Sequence, residues 1–201
     1  MEPIDSESFD RWCKDFRIGR SVQYPKSEAL TYLPEPGFWY RYRPNTTPHG
    51  LGAFVDSALD VASAGVALLV IPTGPGACWF PPDDQDSPNL RSLAGALVGA
   101  GVPRGLLGAM RFDARERPLV TLLLTGALQF GAPFWEFSVF PEHGRCIILN
   151  DEDGDLIGRF PTESALRSYT AALKRAGWNE PTEPDPRVSE TDPWLNLPSG
   201  S

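Results

Sequence analysis

His49 and His143 are the two histidines of the chain, and any serine or cysteine hydrolase mechanism would need one of them as its base. Cys146 lies three residues after His143, which makes this pair the leading candidate for nucleophilic catalysis. The two residues flank a predicted hairpin turn, and nothing nearby suggests an oxyanion site or a third, orienting group. The pattern therefore favours a buried or edge-strand cysteine over a nucleophile.

Other polar clusters do not match a metal or nucleotide site. The three cysteines are widely spaced, which fits neither a zinc site nor a disulfide framework. Asp151, Asp153 and Asp155 begin like a calcium-binding loop. The glycine of that loop stands at position 4 instead of 6, however, and Thr162 stands where glutamate is needed. The glycines between 99 and 105 follow a predicted helix, unlike those of a dinucleotide-binding loop. We therefore predict no metal and no cofactor.

The clearest candidate for a binding surface is a stretch of alternating aromatic and basic residues. In a strand predicted over 38–43, Trp39, Arg41 and Arg43 share one face. Tryptophan and arginine are enriched among the residues that dominate the energy of protein interfaces. The same residues could instead pack on one another as a self-contained cation–π cluster. Both interpretations stay open at the level of sequence.

Two further segments carry groups that could recognise a partner. Asp83, Asp84 and Asp86 form an acidic cluster in a predicted loop, which could attract a cation or a basic protein, although solvated loop charge is the simpler interpretation. Trp194 stands with two leucines in an otherwise apolar-poor segment near the C-terminus. This cluster either docks on the protein's own domain or serves as a short recognition element.

Net charge limits the classes of partner. The chain has 201 residues, a formal net charge of −8 and a pI of about 4.8, so its field repels nucleic acid and anionic lipid surfaces. The same field would steer a basic protein toward the molecule.

The acidic N-terminus lacks a secretory leader, and no apolar run approaches the ~18 residues of a membrane span, which predicts a cytoplasmic protein. The preference for arginine over lysine suggests a bacterial genome rich in GC.

Hydrophobic periodicity predicts an α+β fold with a largely antiparallel sheet of about five to seven short strands and about four helices. The stretch 20–37 resembles an irregular connection because of its prolines, and 119–124 fits strand and helix spacing equally. In chain order we predict a helix at 6–18, a strand at 38–43, a helix at 51–65, strands at 66–72 and 77–80, a helix at 88–101, a strand at 106–112, a meander of strands at 134–140, 146–149 and 156–160, and a helix at 162–177.

The chain divides into one domain, residues 1–178, and an acidic tail, residues 179–201. The tail holds five prolines and five acidic residues against one arginine. Such a composition cannot bury enough apolar surface to offset the entropy of ordering, so we predict that the tail is disordered.

These observations favour a non-enzymatic binding protein. Its most concrete form is a cytosolic inhibitor or immunity-type protein that neutralises a basic toxin or enzyme, because an acidic inhibitor can combine fast electrostatic capture with a few aromatic anchors. One alternative is a small hydrolase or transferase that uses His143 with Cys146, or a carboxylate such as Glu136 or Glu142. Another is an adaptor or structural subunit. The sequence predicts no oligomeric state.

Overall fold

An antiparallel sheet of seven strands runs through the part of the chain that the computed structural model describes, which comprises residues 1–23, 27–32, 38–42, 48–73, 78–80, 88–106, 108–130, 136–150 and 154–178. The described strands are β1 (Glu2–Pro3), β2 (Ile18–Gln23), β3 (Ser27–Tyr32), β4 (Phe38–Tyr42), β5 (Leu68–Thr73), β6 (Met110–Phe112), β7 (Glu136–Pro141), β8 (Ile147–Asn150) and β9 (Leu156–Phe160). Their order in the sheet is β1-β6-β5-β7-β8-β9-β4, while β2 and β3 form a separate hairpin. The predicted α+β class is confirmed.

Side chains of the central strands alternate between two covered faces. Leu68 and Val70 of β5 belong to one apolar core, and Leu69 and Ile71 belong to the core on the opposite side. Because both faces are buried, the strand is continuously apolar. β6 pairs with β5 only as far as Val70, so Pro72 lies beyond the end of that ladder and its missing N–H breaks no bond to β6.

Four helices pack on one side of the sheet, which we call the helix face. The run 119–124, which fitted both spacings, lies inside one of these helices. The chain enters that helix through a capping box at Asp113 and a single 3-10 turn, with Pro118 in the first helical turn, where proline costs nothing. The described helices are α1 (Ser6–Asp15), which lies on the other side, and α2 (Pro48–Ser63), α3 (Pro88–Gly99), α4 (Arg117–Phe130) and α5 (Glu163–Arg175).

α1 and the β2-β3 hairpin cover the opposite side of the sheet, which we call the hairpin face. The prediction that 20–37 is an irregular connection is therefore wrong for 20–23 and 27–32. The rest of that stretch, residues 24–26 and 33–37, lies outside the described residues. Leu30 and Tyr32 follow the two-residue period of a strand and are both buried. Nη1 of Arg159 in β9 also donates to the Leu30 carbonyl at 3.0 Å, which ties the hairpin to the sheet.

The turn between β7 and β8 holds the hairpin-face layer in place. Trp12 Nε1 donates to the Glu142 carbonyl at 3.2 Å, and the Tyr32 hydroxyl donates to the Gly144 carbonyl at 2.6 Å. Gly144 has φ +65°, and a Cβ at this position would lie 2.1 Å from Cδ1 of Phe16. Glycine is favoured here both by the backbone conformation and by the ring packed against it.

A predicted strand at 77–80 is not present in its described part, because residues 78–80 form a bend. Trp79 within this bend is 1% exposed, and its Nε1 donates to the Gly108 carbonyl at 2.8 Å. Its ring packs against Phe112 and Phe137 in the helix-face core. The apolar residues that suggested a strand are thus explained by the burial of Trp79 in the core, and not by pairing with another strand.

Candidate protein-binding surface

β4 is the terminal strand of the sheet and carries the first two of the predicted binding residues. Its register with β9 places Trp39 opposite Arg159 and Arg41 opposite Ile157. Directly opposed residues of an antiparallel pair share a face. Trp39 and Arg41 therefore both lie on the hairpin face, because Ile157 packs against the core of that face. Among the described residues, no strand pairs with the outer side of β4.

Two of the aromatic residues of β4 are fixed by packing on the helix face. Tyr42 stacks on Phe54 of α2 with 3.8 Å between ring centroids. Tyr40 packs edge to face against Tyr169 of α5 at 6.4 Å. Burial raises the pKa of Tyr42, since its phenolate would lose solvation by water. These two rings anchor the strand and are structural.

The other two aromatic residues of β4 are exposed. Phe38 is 41% and Trp39 is 38% exposed, and we call them the exposed aromatic pair. The cation–π contact found in the described residues joins Arg104 to Phe80 and does not involve Trp39. Large apolar side chains exposed at a sheet edge are available for contact with another molecule.

Arg41 is held by a buried carboxylate. Its Nε lies 2.7 Å from Oδ2 of Asp155, and the Asp155 side chain is 1% exposed. A buried carboxylate needs a cationic partner, so this ion pair holds the Arg41 side chain, which is 20% exposed, in a fixed position. Sequence reasoning considered Asp155 only within the failed calcium motif, because nothing in the sequence signals that β4 lies beside β9.

The remaining predicted binding residues are Arg43, Asp83, Asp84, Asp86 and Trp194, and all five lie outside the described residues. Their contribution to a surface stays a prediction.

The negative charge of the chain is concentrated outside the described residues. Of the 26 acidic and 18 basic residues, 14 acidic and 15 basic residues occupy described positions, which are therefore almost neutral as a set. The rest include acidic clusters at 83–86 and 151–153 and the tail, 179–201. The field arises from particular segments instead of the whole body.

His143 and Cys146 do not form an activated pair. Nδ1 of His143 accepts a hydrogen bond from the Arg145 amide at 3.1 Å. Burial and the nearby charge of Arg145 lower the pKa of His143. Cys146 is 3% exposed, and burial raises the pKa of its thiol to about 12. The thiol is therefore protonated at neutral pH, which is the opposite of what a cysteine nucleophile requires.

Within the described residues, no group of three or more histidine, cysteine, aspartate or glutamate side chains is arranged to hold a metal ion. None of the described helices combines the length and apolar character needed to cross a bilayer. No protein-family model matches the chain, and comparisons with curated proteins and with solved structures give no significant match. The chemistry of the residues is therefore the basis for any functional proposal.

Proposed function

We propose that this protein acts by binding another protein without catalysis, most concretely as a cytosolic inhibitor or immunity-type protein that neutralises a basic toxin or enzyme. The observation that carries the proposal is the exposed aromatic pair, Phe38 and Trp39, on the terminal strand of the sheet. Aromatic anchors that become fully desolvated on binding contribute most of the energy of a typical interface. Arg41, fixed by Asp155 beside Trp39, adds a preorganised polar contact.

Charge supports a basic target. The acidic segments at 83–86 and 151–153 each add three negative charges to a body that is itself nearly neutral. Concentrated charge of one sign accelerates the encounter with a partner of opposite sign and contributes less to the lifetime of the complex. In this proposal the acidic segments raise the association rate, and the exposed residues of β4 lower the dissociation rate.

The hydrolase or transferase alternative has weaker support, because its proposed thiol has a raised pKa and is almost inaccessible. We expect His143→Ala and Cys146→Ala to retain function in the native host once their stability has been matched to that of the unmodified protein. A selective loss of function in a stable variant would instead support catalysis. The adaptor alternative predicts binding to a partner whose activity stays unchanged.

A comparative affinity capture from the native host tests the proposal. The baits are the unmodified protein, Trp39→Ala, Arg41→Ala and, as a matched control, Leu122→Ala, which truncates a side chain that is 46% exposed on α4. We expect one basic protein to be retained by the unmodified bait and by Leu122→Ala, and to be depleted at least about tenfold by Trp39→Ala. Equal retention by all four baits would contradict the assignment of the surface.

Binding kinetics with the purified partner then separate the two roles. Raising the salt concentration from about 50 to 500 mM shortens the Debye length to below ~5 Å, so the association rate should fall steeply while the dissociation rate changes little. Charge reversal at Asp83, Asp84 and Asp86 should reproduce the high-salt association rate, whereas Trp39→Ala should chiefly accelerate dissociation. An acidic partner that associates independently of salt would refute the electrostatic part of the proposal.

A further inference from the structure

The two edges of the sheet differ in how they are protected. β1 is two residues long and consists of Glu2 and Pro3, a charge and a residue that cannot donate to a ladder. Short length, charge and proline are the means by which proteins prevent edge strands from pairing with other chains. β4 at the other edge has five residues and no proline, its charged residue Arg41 is paired with Asp155 of its own chain, and two of its aromatic side chains are exposed. The β4 edge is therefore suited to pairing.

The sequence of β4 is complementary to itself when two copies run antiparallel. A twofold axis perpendicular to the sheet at Tyr40 places Trp39 opposite Arg41 of the second copy on the hairpin face. It also places Phe38 opposite Tyr42 of the second copy on the helix face. Arginine over tryptophan and aromatic on aromatic are both favourable cross-strand pairs. This register pairs all five residues of the strand and keeps every side chain on its own face.

Other registers satisfy the strand less well. If the register moved by one residue, the helix face of one copy would continue into the hairpin face of the other. Centring the axis on Arg41 opposes two guanidinium groups, and centring it on Trp39 leaves Arg41 without an aromatic partner across the interface. The Tyr40 register also leaves the ion pair of Arg41 with Asp155 in place, since it requires only that a ring cover the guanidinium.

Charge opposes the approach of two copies at long range, because each chain carries a net charge of −8. Raising the salt concentration should therefore strengthen the dimer, since added salt screens this repulsion.

We propose that two copies of this chain associate through β4, antiparallel about an axis at Tyr40, so that their two seven-stranded sheets form one continuous sheet. This inference goes beyond target binding and does not depend on it; because both use Trp39, a target and a second copy would compete for β4. The interface is small, so the dimer is reversible, with a dissociation constant on the order of micromolar or weaker.

Sedimentation equilibrium of three forms tests both the dimer and its register. The forms are the unmodified chain, Trp39→Glu and Trp39→Lys, and the two variants lose the same indole contact. In the Tyr40 register, residue 39 faces Arg41 of the second copy, so glutamate should attract and lysine should repel. We expect Trp39→Lys to dimerise at least about tenfold more weakly than Trp39→Glu. Arg159 of the same chain faces residue 39 in both the monomer and the dimer. Its interaction with residue 39 therefore does not change the dissociation constant of the dimer.

Two outcomes would overturn the proposal. One is an unmodified chain that stays monomeric at about 0.5 mM. The other is equal weakening by glutamate and lysine, which would indicate that Trp39 faces Trp39 of the second copy. Leu122→Glu and Leu122→Lys serve as controls on α4 and should leave the dissociation constant unchanged.

Hydrogen exchange of the unmodified chain provides evidence that does not depend on whether a variant folds. Between about 5 and 500 μM protein, amides of Phe38–Tyr42 should become more protected, whereas those of Pro88–Gly99 in α3 should not change. Concentration-dependent protection confined to α3 or α4 would place the dimer contact on the helix layer and refute pairing through β4.

Discussion

Gly144 shows how one residue fixes the position of a whole layer. Its backbone is in the left-handed region at φ +65°, and the Phe16 ring occupies the space that a side chain would need. The Tyr32 hydroxyl donates a hydrogen bond to its carbonyl. Two requirements, one of the backbone and one of packing, therefore coincide at a position that sequence reasoning recognised only as part of a turn.

Gly144→Ala should lower the free energy of unfolding by about 2–4 kcal/mol, because left-handed strain and overpacking add. Gly177→Ala is the matched control, since Gly177 has φ +93° and a Cβ added there would meet no atom within 4 Å; it should lose only about 1 kcal/mol. Urea denaturation at neutral pH measures both values. Equal losses in the two variants would show that Phe16 moves aside without cost.

Cys146 predicts how stability depends on alkaline pH. Burial raises the pKa of its thiol from 9.0 to about 12, so between these values the unfolded chain loses a proton that the folded protein keeps. The contribution of this group to stability is complete below pH 9 and declines as the pH rises toward 12, by about 1.4 kcal/mol per pH unit. Burial also raises the pKa of the Tyr32 and Tyr169 hydroxyls, so Cys146→Ala should remove only the part of the decline that belongs to the thiol. Parallel slopes for both proteins between about pH 9.5 and 11 would contradict the assignment.

At the scale of elements, amphipathic spacing was sufficient to predict a helix and its buried residues where that helix packs against a single core. Phe9 and Cys13 on α1 and Tyr169 and Leu173 on α5 are buried as the spacing requires. The meander 136–160 was also predicted, because its turns carry glycine. The β2-β3 hairpin was missed because three nearby prolines suggested a connection, and the strand order was not predictable because non-local pairing leaves no local signal.

Tyr32→Phe tests how the hairpin is attached to the sheet. The variant leaves the buried Gly144 carbonyl without its 2.6 Å hydrogen bond, so it should cost about 1–3 kcal/mol and speed amide exchange in β2 and β3 more than in β5 and β7. Tyr42→Phe is a suitable control, because the Tyr42 hydroxyl makes no hydrogen bond with the described residues. Uniform acceleration across all strands would show that the layer unfolds only with the whole domain.

For the whole molecule, composition predicted the sign of the field but not where its charges lie. The described body is almost neutral, whereas the tail alone carries five acidic residues against one basic residue. We therefore expect that the chain can lose much of its negative charge and keep its fold.

Two truncations that differ by one residue test this division. Trp178 packs edge to face on Phe54 at 5.1 Å, and its amide donates to the Leu173 carbonyl at 3.0 Å. A chain of residues 1–178 should therefore melt within about 3 °C of the full chain, whereas residues 1–177 should lose about 2 kcal/mol because Phe54 is uncovered. Thermal unfolding followed by circular dichroism measures both. A larger loss for 1–178 would place the Trp194 cluster on the domain, because only a docked segment stabilises the fold it leaves.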